Sequence, residues 1–136
     1  MSMQSVLYVG ARLIAALILL QTLYFKFSAS PESVYIFSTV GIEPWGRVSV
    51  GVLELIAALL LIINPTSWIG GLLALGLMGG ALIMHLTKLG ISVMDDGGYL
   101  FFLALAVFIC SLYVVVKNKD QILILLKRAG TFAWRD

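Results

Sequence analysis

The stretch from Tyr99 to Val116, YLFFLALAVFICSLYVVV, runs 18 residues without a charge. As a helix rising about 1.5 Å per residue it reaches roughly 27 Å, close to the ~30 Å hydrocarbon thickness of a bilayer. Three more apolar stretches precede it: Val6 to Phe25, interrupted by Arg12 and Gln21; Val48 to Ile63, carrying Glu54; and Trp68 to Leu86, carrying His85. With 61% hydrophobic residues, 12% charged residues and a mean hydropathy of +1.06, the chain lies far outside the range of water-soluble domains. The expected fold is all-α, an integral-membrane four-helix bundle in one domain, because 136 residues leave no room for a soluble catalytic unit beside four spans.

Cys110 is the single cysteine and lies inside the fourth stretch, so no disulfide and no cysteine-pair redox or metal motif can form within the chain. A net charge of +2, spread along the sequence, gives no basis for nucleic acid as a partner. A signal peptide is the rival reading of the first stretch. Arg12 would sit inside its apolar core and no basic residue precedes it, which favours a retained helix.

Glu54 tests whether the second stretch inserts. A charge near the bilayer centre costs about 3 kcal/mol on insertion scales. The eleven Val, Leu and Ile residues between Val48 and Ile63 offset it at roughly 0.4 kcal/mol each, about 4 to 5 in total. Insertion wins narrowly, so a carboxyl held there needs a partner or a proton.

The connections differ in kind. NPTSW, Asn64 to Trp68, is a tight turn that makes the second and third spans an antiparallel hairpin. The longer link from Lys26 to Arg47 contains a short helix, with Ser30 as N-cap, Pro31 at the first helical position and Gly41 as its stop. Val34, Phe37 and Val40 recur at helical spacing, which predicts a helix lying along the membrane surface with Trp45 in the aromatic belt. In GISVMDDGG, either Asp95 or Asp96 can cap the fourth span.

Four spans put both termini on one side, with Lys117, Lys119, Lys127, Arg128 and Arg135. The other side holds Lys26, Arg47 and Lys88 together with Glu32, Glu43, Asp95 and Asp96, so the positive-inside rule places both termini in the cytoplasm. The tail over residues 117–136 is too short to span and is expected at the inner interface.

Taking Lys26, Arg47 and Lys88 as the outer boundary, His85 lies about 4 to 5 Å inside, Gln21 about 7 to 8 Å, Glu54 about 10 Å and Arg12 about 21 Å. Helical side chains lean toward their own N-terminus, so Lys26 and His85 lean inward while Glu54, on a descending helix, leans outward. The three are expected to converge one to two turns below the outer surface. Each has a rival reading: Lys26 snorkelling to lipid phosphate, Glu54 locking helices together, His85 facing headgroups. Against the last, Gly70, Ala74, Ala81, His85 and Lys88 share one helical face whose small residues suit helix contact. Arg12 is expected to anchor to inner-leaflet groups, and Asp96 to border the outer cavity. Gly76 and Gly80 form a GxxxG pair on a different face, a basis for close packing or a homodimer.

An arginine early in the first stretch, LYFKF at its end, RVSVGVLELIAALLLI, and LALGLMGGALIMHLTKLG followed by DDGGYLFFLAL together resemble the DoxX family of small four-helix membrane proteins, from about Arg12 to Val116. The resemblance implies that the family's polar positions fall on Arg12, Lys26, Glu54 and His85. It also implies a role like that of the membrane subunits of thiosulfate:quinone oxidoreductase, or of partners in thiol homeostasis, or of helpers in membrane-protein assembly.

Chemistry narrows these. Reducing a quinone takes two electrons and two protons, and His85 and Glu54 are the candidate proton-exchanging, catalytic groups, with Lys26, Glu54, His85, Asp96 and Arg12 as candidate ligand contacts. No haem pair, cysteine pair or nucleotide loop is present in the sequence, so electrons would come from a small substrate or a redox partner protein. A lone histidine is a poor basis for a metal site. The leading expectation is a quinone-binding subunit of a membrane redox system; the alternative is a non-catalytic assembly component or a carrier of small solutes or lipid.

Overall fold

The computed structural model describes residues 1–133, and Arg135, one of the cations counted on the terminal side, lies outside the described residues. Six helices follow in order: α1 (Met3–Phe27), α2 (Pro31–Val40), α3 (Trp45–Ile62), α4 (Ser67–Met84), α5 (Tyr99–Lys117) and α6 (Lys119–Ala133). A 3-10 turn at Asn64–Thr66 leads into α4, and a π-helical turn at His85–Leu89 continues it. Four segments, Met3–Phe27, Trp45–Ile62, Asn64–Leu89 and Tyr99–Lys117, are long and apolar enough to cross a membrane. The chain is thus an all-α, multi-pass membrane protein. The expected stretches are recovered to within about a turn, and Trp45 opens α3 rather than sitting in the link before it.

Each of α1 and α4 packs against both α3 and α5, so the spans form a closed square in the order α1, α3, α4, α5. Small residues let the backbones approach where hydrocarbon gives no hydrophobic drive to associate. Ala15, Ala16, Ala57, Ala58 and Ala74 are buried in the core with Leu19, Leu61, Val107 and Val114. The tightest point is Gly70, where an added Cβ would lie 2.7 Å from the Leu61 nitrogen and 2.9 Å from the Ala57 oxygen. Gly71, one residue on, faces Val114 of α5.

The α2 helix forms as its sequence dictates. Ser30 Oγ accepts a hydrogen bond from the Ser33 amide at 3.3 Å, Pro31 occupies the first helical position, and Gly41 ends the helix with φ +87°. Its buried Phe37 turns into the bundle, and α2 packs on α1, α3 and the π turn. It therefore caps one end of the bundle, here called the α2 end, instead of only lying beside it.

At the opposite, terminal end the structure corrects the reading of Arg12. The Leu61 carbonyl would accept from the amide four residues on, but that residue is Pro65, which has no N–H. The Thr66 amide turns back to Ile63, which orphans Ile62 as well. Arg12 supplies both missing donors, Nε to Leu61 O at 2.9 Å and Nη2 to Ile62 O at 2.6 Å, and its Nη1 binds Asn64 Oδ1 at 2.9 Å. Its charge also complements the negative end of the α3 dipole. Arg12 is buried and committed to protein, not anchored to lipid groups.

After α5, Asn118 breaks the helix by donating its side-chain amide to Val114 O and Tyr8 Oη, and α6 departs from the bundle. Leu123, Ile124, Leu125 and Leu126 are exposed on it. At about 22 Å of rise α6 is short of a full span.

Because the Gly70 contact is backbone on backbone, Gly70→Ala should force α3 and α4 apart and lower stability by about 1–3 kcal/mol. Gly10→Ala, where a Cβ meets open space, should be neutral or slightly stabilising. Thermal unfolding in detergent compares the two; equal midpoints would remove Gly70 as the site of closest approach.

Candidate functional site

Toward the α2 end the four spans separate around a cavity of about 360 Å³. Its walls are apolar, with residues such as Leu19, Leu77, Met78, Leu103 and Val107, and its roof is formed by Ile36, Phe37, Val40 and Ile42. The charged and titratable groups among its lining are Lys26, Glu54 and His85. The structure thus brings together three of the five candidate residues, each from a different element. Thr22 adds a hydroxyl whose own proton goes to Leu19 O.

Lys26 and Glu54 form an ion pair across α1 and α3, with Nζ to Oε2 at 3.0 Å. Glu54 is 2% exposed, so its carboxylate has given up water and depends on that one cation. Oε2, the oxygen that faces the ammonium, is buried and has no other partner in the protein. Lys26 sits in the last turn of α1, where a positive charge also complements the helix dipole.

His85 is 5% exposed and begins the π turn. Its Nδ1 lies 2.9 Å from the Gly90 carbonyl, which can only accept, so Nδ1 carries a proton. In the neutral ring the lone pair is then on Nε2. Gly90 makes this possible with φ +78°, a left-handed conformation that turns its carbonyl back to the ring. The edge of Phe101, 5.7 Å centroid to centroid, fixes the imidazole from the α5 side. Lys88 does not stay on the face of Ala81 and His85; after the wider π turn it is exposed.

Asp96 is not part of the cavity lining. Its Oδ1 accepts from the Val93 and Gly98 amides at 3.0 and 2.8 Å, and its Oδ2 from the Leu100 amide at 3.1 Å. It shapes the loop and caps α5. Partial loss of water raises its pKa, but those three amides together with nearby His85 outweigh that and hold the carboxyl below its ordinary value. Arg12, at the terminal end, is likewise absent from the lining. Gln21 faces away and donates to Tyr99 Oη at 3.0 Å.

Two features escaped the sequence reading. Arg47, taken there as a boundary charge, is buried; its Nε lies 2.8 Å from Glu43 Oε1, and its Nη1 donates to the Lys26 carbonyl. The spacing of Glu43 and Arg47, four apart, was the available signal. At the terminal end Tyr8 Oη meets Ser67 Oγ at 2.7 Å and receives the Asn118 amide at 2.8 Å. Those groups satisfy one another beside a shallow surface depression, so they hold helices rather than await a ligand.

Removing one partner from a buried pair leaves the other uncompensated, at a cost of about 3–5 kcal/mol. Glu54→Gln and Lys26→Met should each destabilise the protein, and the double variant should lose less than the sum of the two. Thermal unfolding of all three gives the coupling; simple additivity would show that the pair contributes nothing as a pair.

No family model, no curated protein and no solved structure matches the chain. What the cavity takes is therefore argued from its own chemistry.

Proposed function

We propose that this chain is a DoxX-like membrane protein whose cavity holds the head group of a quinone, serving as the ligand-binding subunit of a quinone-linked redox system. The observation that carries this reading is the meeting of Lys26, Glu54 and His85 at an otherwise apolar cavity. A largely apolar pocket with a few convergent polar groups is the usual form of a small-molecule site. A quinone presents two carbonyl acceptors that become hydroxyl donors when it takes up two electrons and two protons. His85 Nε2 can accept from a hydroxyl when neutral and donate to a carbonyl when protonated. Lys26 offers a donor and Glu54 an acceptor on the facing helices. Electrons come from a small substrate or a partner protein.

The orientation belongs to the same reading. Lys117, Lys119, Lys127 and Arg128 mark the terminal side. On the α2 side Lys26 and Arg47 are paired with Glu54 and Glu43, which leaves Lys88 as the exposed cation of that end and sharpens the charge asymmetry. Both termini then face the cytoplasm, the cavity lies in the outer half of the membrane, and α6 lies at the inner interface.

A cysteine introduced at Glu32, the exposed neighbour of Ser33 in the first turn of α2, should react with an impermeant maleimide added outside the cell, and one at the exposed Lys127 should not. The reverse pattern would move the cavity to the inner half.

His85→Phe should leave insertion and folding intact and abolish binding of a short-chain quinone, whereas Lys88→Gln, on the exposed side of the turn, should have little effect. Calorimetric titration of the purified proteins measures both. Equal binding by wild type and His85→Phe would remove the histidine from the site, and absence of binding by wild type would favour the alternative, an assembly component or carrier.

A further inference from the structure

The α3 and α4 helices are in backbone contact at Gly70, and the cavity lies between there and the α2 end. Gly76 and Gly80 lie six and ten residues further along, about 9 and 15 Å by helical rise. An added Cβ at either meets nothing within 4 Å. Both belong to the cavity lining, yet they are not on the inner face of α4. At about 100° per residue they lie more than 90° round the helix from Ala74 and Ala81, which face the interior. Both are exposed. The cavity thus passes from the bundle interior, between α3 and α4, to the outer surface of α4. The antiparallel register that sets Ala57 and Leu61 against Gly70 puts Val50, half-buried and also in the lining, roughly level with Gly80.

The other approach is covered. Phe37, Val40 and Ile42 form the roof, and the ion-paired Arg47 fastens α3 to the end of α1 beside it. The rim of the side opening, Val50, Leu77, Gly80 and Met84, carries no polar side chain. Such a rim suits a molecule already dissolved in hydrocarbon.

We infer that the cavity opens sideways into the membrane through a portal between α3 and α4, floored by Gly76 and Gly80. Its ligand is an amphiphile with the polar head among Lys26, Glu54 and His85 and an apolar chain running out over the glycines into the bilayer. The ligand's head rests on the quinone reading above; the portal does not. Glycine at both positions keeps the floor flat, and a branched side chain at either would fill the gap.

Two measurements separate the claims. In nanodiscs, a small aryl diazirine dissolved in the bilayer should on illumination label Met78, an almost fully buried residue of the cavity wall, and Ile83 on the exposed face of α4. In the Gly76→Leu/Gly80→Leu double variant Met78 labelling should fall while Ile83 labelling persists. Gly10→Leu, remote from the cavity, controls for added bulk. Met78 unlabelled in wild type, or labelled equally in the double variant, overturns the portal whatever ligand binds. The second measurement compares a decyl-tailed quinone with the same ring lacking its tail. Wild type should prefer the tailed form by about tenfold or more, and the double variant should lose that preference while binding the bare ring as before. Retention of the preference in the double variant overturns the tail path. Labelling that responds to the variant in a protein that binds neither quinone supports the portal and overturns the quinone head. If wild type is a dimer that the double variant dissociates, with Met78 labelling unchanged, the glycines are a dimer contact and the portal is overturned.

Discussion

Inside hydrocarbon a carbonyl or a charge has no partner except those the chain brings with it. Much of this bundle's geometry follows from that demand. Pro65 makes the sharp turn between α3 and α4 and in doing so leaves the end of α3 short of donors. Thr66 Oγ1 serves Leu60 O, and the Arg12 guanidinium serves Leu61 O and Ile62 O. Arg47 repeats the device at the other end, reaching from α3 to a carbonyl in the last turn of α1. Two arginines, each on one of these neighbouring helices and each capping the other, fix the height of α1 against α3. A one-turn slip of either helix would take Arg12 from both its carbonyls and Arg47 Nη1 from the Lys26 carbonyl.

With that register set, the two halves of the bundle differ. The terminal half is built from alanines and Gly70 and closes tightly. The α2 half carries the Lys26–Glu54 pair, and there the spans part around a cavity. A buried ion pair is a poor source of stability, since desolvation cancels most of its attraction. Its position at the wall of the cavity is what the proposed ligand site draws on. The α2 helix follows from the same layout: a hollow end of a bundle needs a cover, and Phe37 supplies one.

What could be read from the sequence was whatever depends on neighbours along the chain. The four spans, the Ser30 and Gly41 ends of α2 and the capping by Asp96 are local signals, and the structure carries them. The meeting of Lys26, Glu54 and His85 was legible because depth and lean along a helix are also local. The partners of Arg12 were not, since Leu61 is 49 positions away, although Pro65 four residues after Leu61 marks a carbonyl in need of a donor. Arg47 looked like a boundary charge because its burial depends on how α2 folds back. The path past Gly76 and Gly80 was hidden for a similar reason. A GxxxG pair signals close approach only if a helix is opposite, and here both glycines are exposed with nothing within 4 Å of an added Cβ.

The placement of the single histidine ties these features together. Under the quinone-binding proposal, a group that exchanges protons and also touches a head group dissolved in the membrane must sit where water and hydrocarbon meet. His85 occupies that boundary. Its Nδ1 is held by Gly90, an exposed residue of the turn, while the rest of the ring faces Phe101 and the cavity. The π turn is what brings this about, since its extra residue sends the following chain outward while leaving His85 on the face of Ala81. Had the α-helix continued unbroken through Lys88, the cation three residues on would have stayed on the face of His85. By moving Lys88 into the open, the turn leaves Glu54 and Lys26 as the charged groups that line the cavity with His85.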